Sequence, residues 1–134
     1  MQVARPTAER LLQALLTTIG LVAMATGAFA LVTGTSGMPG EIEANATVES
    51  ELRYFAAFWI AYGAVAFRTA PRVATATTAV RALALAMFIG GVGRALAWID
   101  VGRPHAVFVA LMVIELVLPA LLVIWQQRVA RASS

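Results

Sequence analysis

Cysteine and lysine are absent from this sequence, and histidine occurs once. Without cysteine there is no disulfide, no thiolate nucleophile and no soft metal ligand, so thiol redox chemistry is excluded. The lone His105 has no second nitrogen or sulfur donor to join it, so an ordinary zinc-type site is not expected and no cofactor is implied. Glu115 lies ~15 Å farther along the same predicted helix, too far to share a metal with it. His105 is read as a boundary residue. Charge is scarce as well: Asp, Glu, Lys and Arg make up 13% of the chain, against about 25% in a soluble domain. No nucleophile–base set stands out. The glycine-rich stretch Gly34–Gly40 lacks the Gly-Lys-Ser/Thr ending of a phosphate loop and follows no strand.

What is present is apolar. Of 134 residues, 60% are hydrophobic, and the mean hydropathy is +0.82. The length suits a single domain. A net charge of +3 and an isoelectric point near 10.6 could suggest a nucleic-acid partner. A nucleic-acid reader, however, gathers its basic residues on one polar face, whereas these ten arginines stand at the ends of apolar runs. That distribution belongs to membrane topology, and no nucleic acid is expected.

Four apolar runs predict helices over about 10–33, 49–67, 78–99 and 104–126, an all-α integral membrane four-helix bundle occupying residues 1–134 as one domain. Ala28-Phe29-Ala30 has the look of a signal-peptidase site, but the run from Leu11 to Val32 is longer than a signal's apolar region, and a retained helix is expected. Gly20, Ala23, Gly27, Ala30 and Gly34 form a stripe of small residues at alternating spacings, as helices use where backbones approach closely. The segment Gly34–Ser50 reads as a loop, acidic through Glu41, Glu43 and Glu49. Asn45-Ala46-Thr47 fits a glycosylation acceptor by pattern alone. Thr47 or Ser50 is the expected cap of the second helix.

In that second helix Arg53 follows Glu49 by four residues, which suits a local surface bridge. The competing reading turns Arg53 inward with Ala56, Ala57, Ile60 and Ala64. Trp59 and Tyr62 lie deeper than an interfacial belt and should find polar partners between helices. In the third helix Ala79, Ala82, Ala86, Gly90, Gly93 and Ala97 make a second small-residue stripe, with Arg94 beside it. Pro104 is expected as the first residue of the fourth helix.

Arginine counting sets the orientation. Arg5, Arg10, Arg68, Arg72, Arg81, Arg128 and Arg131 flank one side, and Arg53, Arg94 and Arg103 the other, so the positive-inside rule puts both termini in the cytoplasm. Glu115, near the middle of the last run, then falls near the bilayer midplane, where an acid costs roughly 2.5–3.5 kcal/mol or more. It requires a partner. Arg94 is the first choice and Arg53 the second, with Glu51 and Asp100 as further acids near the two arginines. The face Phe108, Leu111, Met112, Glu115, Leu118, Pro119 and Leu122 should turn inward.

Glu51-Leu52-Arg53 opening the second helix, Gly90-Gly91-Val92-Gly93-Arg94 closing the third, Asp100-Val101-Gly102-Arg103-Pro104 in the turn and Glu115 with Pro119 in the fourth form an ordered set. In this set the chain resembles a bacterial four-helix membrane family known as domain of unknown function 4345, from about Leu12 to Trp125. The resemblance implies the fold and the importance of Glu51, Arg53, Arg94, Asp100, Pro104 and Glu115. It implies no activity.

The function expected from these readings is that of a small integral membrane protein, non-enzymatic, binding or accessory, with a buried Arg/Glu centre in the outer half of the bundle. Its binding residues would be Glu51, Arg53, Arg94, Asp100 and Glu115. Membrane lipids surround it, an anionic lipid or a quinone is the candidate ligand, and a protein partner or a second copy could dock on it. The cytoplasmic membrane of a bacterium is the expected location. The alternatives are a membrane enzyme or redox subunit acting on a lipid or quinone, and a small proton-coupled transporter using Glu115. The plain structural reading is that Arg94 and Glu115 only neutralise one another and fix packing.

Overall fold

The computed structural model describes residues 4–40 and 43–133, and within them four α-helices: α1 (Ala4–Thr33), α2 (Ala46–Thr69), α3 (Thr77–Val101) and α4 (Ala106–Ser133). Short 3-10 turns, Gly34–Gly37 and Ala70–Arg72, follow α1 and α2. Glu41, part of the acidic loop, lies outside the described residues. Three of the helices are long and apolar enough to cross a membrane: α1 with the turn after it, α3 and α4. At the usual rise the 24 residues of α2 reach about 36 Å. Its polar ends (Glu49, Glu51, Arg53, Arg68) and its Tyr and Trp residues dilute its apolarity below that of the other three.

Helix ends differ from the sequence reading in instructive ways. α1 begins at Ala4 rather than near residue 10, because Pro6 is tolerated in a first turn and Gln13 Nε2 donates to Glu9 Oε1 one turn back at 3.3 Å. α2 begins at Ala46. Its cap is Asn45, neither Thr47 nor Ser50: the Asn45 Oδ1 accepts from the Val48 N–H at 3.0 Å. α3 is capped just past Val101 by Gly102, whose N–H donates to the Trp98 carbonyl and whose φ of 116° is a conformation that a Cβ disfavours. Pro104 is not the first residue of α4. The helix starts two residues later, on a turn in which the His105 carbonyl accepts from Phe108 N at 2.9 Å and the His105 ring Nδ1 from Val107 N at 3.3 Å. α4 also runs past residue 126 to Ser133, its arginines favourably placed against the negative end of the helix dipole.

The chain divides into two compact units. One holds Ala14–Pro71, the rest of α1 with α2. Here the small-residue stripe is a true contact. A Cβ on Gly20 would come within 2.8 Å of the Gly63 carbonyl oxygen, and a Cβ on Gly63 within 2.6 Å of the Gly20 oxygen. A Cβ on Gly27 would come within 3.0 Å of the Ala56 oxygen. The two backbones therefore touch where no side chain intervenes. On α2 the covered face runs through Ala56, Gly63 and Ala66 with half-buried Arg53 and Ile60, while Ala57 is exposed. Trp59 Nε1 donates to Thr26 Oγ1 at 2.9 Å and its ring stacks on Tyr62.

The other unit joins the N-terminal part of α1 to Arg72, α3 and α4. The small-residue stripe predicted for α3 is not its packed face: Ala82, Ala86, Gly90, Gly93 and Ala97 are exposed. Val80, Leu83, Ala84, Met87 and Gly91 are buried instead. Val80, Leu83 and Met87 supply the apolar burial on this face, and Gly91 lets α3 approach α4 closely. On α4 the buried face is Met112, Glu115, Pro119, Leu122, Gln126 and Val129. Leu111, expected inward, is 37% exposed. Large apolar side chains such as Val113, Val117 and Leu121 stand more than half exposed, an outer surface suited to lipid or to partner helices.

Candidate functional site

The polar centre of the α3–α4 unit is built on a glycine. A Cβ on Gly91 would lie 3.0 Å from Glu115 Cβ and 3.1 Å from the Glu115 backbone carbon, so α3 comes close to α4 at the level of the acid. One turn along α3 from there, Arg94 extends its side chain and its Nε donates to Glu115 Oε2 at 2.7 Å. Glu115 is only 8% exposed; the Arg94 side chain is 37% exposed. The Arg94 guanidinium also lies 5.5 Å from the Phe108 ring centroid, within cation–π range.

The contact is one-pointed. A guanidinium has five N–H donors, and here only Nε has an acceptor among the described residues. The terminal nitrogens of Arg94 present their donors at a partly open surface. Pro119 adds a second irregularity. It stands inside α4 and has no N–H, so the Glu115 carbonyl four residues earlier loses its usual helical donor. Glu115 therefore carries both the side chain that holds Arg94 and a main-chain oxygen released from the ladder.

Arg53 belongs to a different cluster. Its Nε and one terminal nitrogen donate to Glu49 Oε1 at 2.9 and 2.7 Å, and the other terminal nitrogen to the Leu31 carbonyl at 2.7 Å. Glu49 Oε2 in turn accepts from the Thr35 N–H at 3.0 Å and the Thr35 hydroxyl at 2.8 Å. The local bridge and the inward turn of Arg53, set against each other in the sequence, are both present. The Thr35 backbone N–H, the Thr35 hydroxyl and the Arg53 guanidinium hold the Glu49 carboxyl down at about 2. Gly34, at φ 61°, completes the cluster, because a Cβ there would collide with the Glu49 carboxyl group.

Two further expected binding residues stand apart. Glu51 and Asp100 are exposed, and among the described residues neither forms an ion pair: the acid that meets Arg53 is Glu49, and the acid that meets Arg94 is Glu115. Sequence reasoning missed Gln126. It is fully buried, with its Nε2 donating to Thr77 Oγ1 at 2.8 Å and to the Val73 carbonyl at 3.2 Å. The signal was available: Glu115, Pro119, Leu122 and Gln126 follow one another at four, three and four residues, one face of a helix. Among the described residues, no group of three or more His, Cys, Asp or Glu side chains could hold a metal ion.

A family model described as Domain of unknown function (DUF4345) matches residues 11–126. The chain belongs to that family. No curated protein and no solved structure matches it.

Proposed function

We propose that this member of the DUF4345 family is a four-helix integral membrane protein with both termini on the cytoplasmic side. In this reading it acts as a binding or accessory protein, not an enzyme, and the Arg94–Glu115 centre in the outer half of the bundle receives its ligand. The observation that carries the reading is the one-pointed pair: Glu115 neutralises Arg94 through Nε alone, and the terminal donors of Arg94 remain turned to a partly open surface. A guanidinium edge with free donors suits the phosphate of an anionic lipid or the carbonyl of a quinone. Three apolar helices support membrane insertion, and α2 has the length to be the fourth span. The arginine asymmetry favours cytoplasmic termini, and with the family resemblance it favours the cytoplasmic membrane of a bacterium. The exposed small residues of α3 give a partner helix, or a second copy, a surface it could approach closely.

The test is extraction from native membranes in mild detergent, with the co-purifying lipids, quinones and proteins identified for the parent and for the Arg94→Leu, Glu115→Leu double variant. The expected result is a stable double variant that has lost one co-purifying species. A double variant as stable as the parent with an unchanged set of bound species would reduce the pair to packing. Reporter fusions after Gly40 and at the C-terminus check the orientation: opposite sides are expected, and the same side refutes it.

A further inference from the structure

At the end of α3 and α4 far from Arg94, Thr77, Arg81, Gln126, Gln127, Ala130 and Arg131 line an open cleft of about 240 Å³. Its donors come from three sources. The two arginines are the first. The second is the start of α3, where Ala76 provides no side-chain cap. Thr77, Thr78 and Ala79 precede the first bond of the helix ladder, which Val80 N makes to the Ala76 carbonyl, so their N–H groups are the orphan donors that attract anions. The third is the Thr77 hydroxyl. Its oxygen already accepts from Gln126 Nε2, which leaves its proton to be given elsewhere.

A second and independent observation points to the same place. Gln126 is fully buried, both acceptors of its Nε2 are fixed, and its Oε1 has no donor among the described residues. An unpaired buried oxygen costs about 1–3 kcal/mol and calls for a missing partner. The occupant must therefore bring an anion to the arginines and an O–H to an amide oxygen.

We infer that this cleft binds the phosphodiester of an anionic phospholipid whose headgroup carries a hydroxyl, with Arg81, Arg131 and the α3 N-terminus holding the phosphate and Gln126 Oε1 accepting from the hydroxyl. Basic pockets between spanning helices on the cytoplasmic side are known hosts for such headgroups. The inference rests on the membrane reading above, because the orientation proposed there puts this end at the cytoplasmic leaflet. It does not rest on the Arg94–Glu115 ligand.

The test is thermal stabilisation of the full chain in detergent on titration with phosphatidylglycerol, phosphatidylmethanol (the same charge without the hydroxyl), phosphatidylcholine, inorganic phosphate and glycerol 3-phosphate. Saturable stabilisation by phosphatidylglycerol is expected, with none from phosphatidylcholine. Phosphatidylmethanol should bind about tenfold more weakly through loss of the one hydrogen bond. Arg81→Gln, at an exposed position, should weaken phosphatidylglycerol about tenfold, and Arg128→Gln, on α4 outside the cleft, should not. Equal binding of phosphatidylglycerol and phosphatidylcholine, or indifference to Arg81→Gln, would overturn the site. Stabilisation by inorganic phosphate or glycerol 3-phosphate that matches phosphatidylglycerol would overturn the lipid as its source. Loss of lipid binding here with an intact Arg94 ligand, or the reverse, separates the two sites.

Discussion

In the α1–α2 unit Glu49 and Arg53 stand four residues apart on one helix, and almost every donor and acceptor they own is occupied. Glu49 is met by the Thr35 main chain and hydroxyl as well as by Arg53, and Arg53 by carbonyls at the end of α1. In the α3–α4 unit Arg94 and Glu115 are 21 residues apart on different helices, and they share one bond. The first pair lies among turn residues where water competes. The second is enclosed on the Glu115 side by apolar neighbours and a glycine contact. The same two residue types thus make a finished clamp in one place and an unfinished one in the other. A finished clamp fixes a helix end, and an unfinished one has donors left for something else.

Mutation should break this comparison first where the pair is buried. Removing one member of a buried pair typically costs about 3–5 kcal/mol, and replacing both can be nearly neutral. With the arginine partly exposed, Arg94→Leu is expected to cost about 3 kcal/mol, read as a lowered unfolding midpoint in detergent. Glu115→Gln should cost less, since an amide oxygen can still accept from Arg94 Nε. The double change Arg94→Leu, Glu115→Leu should return to within about 1 kcal/mol of the parent. A double variant no better than Arg94→Leu would mean that the two side chains do not act as a pair.

A smaller effect is expected at the cap that sets the first turn of α2, and with it the position of Glu49. Asn45→Ala should cost about 1 kcal/mol, a usual value for a lost N-cap. If it costs nothing, the clamp rather than the cap holds that helix end. Ser at the same position should restore most of the loss.

The smallest effect sharpens the contrast through pH. The folded carboxyl of Glu49 titrates at about 2, below its ordinary 4.5, so the folded state favours the charged form. Its contribution is complete above about pH 4.5 and is lost as pH falls toward 2. The stability difference between the parent and Glu49→Gln should therefore be largest near neutrality, shrink across that window and vanish at its acid end. A difference that is flat with pH would mean that the charge of Glu49 is not what holds Thr35 and Arg53.

Much of this was legible in the chain itself. Four helices follow from four apolar runs, and Arg94 as the partner of Glu115 follows from the cost of leaving an acid unpaired within an apolar run. The stripe Gly20, Ala23, Gly27, Ala30 and Gly34 was read as a contact, and at Gly20 and Gly27 it lies directly against the backbone of α2. The parallel reading of α3 failed because small residues recur on two neighbouring faces of that helix: the face through Ala84 and Gly91 meets α4, and the predicted one through Ala82, Ala86, Gly90, Gly93 and Ala97 is left exposed. Periodicity alone does not rank two such faces. Thr35 was out of reach too, since its bond to Glu49 spans 14 residues across a connection that holds the positive-φ glycines Gly34 and Gly40. Gln126 was readable from its spacing to Glu115 and was passed over as a helix end.

The separation of 21 residues between Arg94 and Glu115 also has a meaning in time. For a chain inserted as it is synthesised, Arg53 finds Glu49 already made, whereas Arg94 emerges with its acid still inside the ribosome. Until the first half of α4 has followed, α3 carries an unanswered cation in its apolar length. On the membrane reading proposed above, it gains a stable place in the bilayer only as one of a pair. If the chain spans the membrane as proposed above, the third helix should thus wait at the insertion machinery for the fourth.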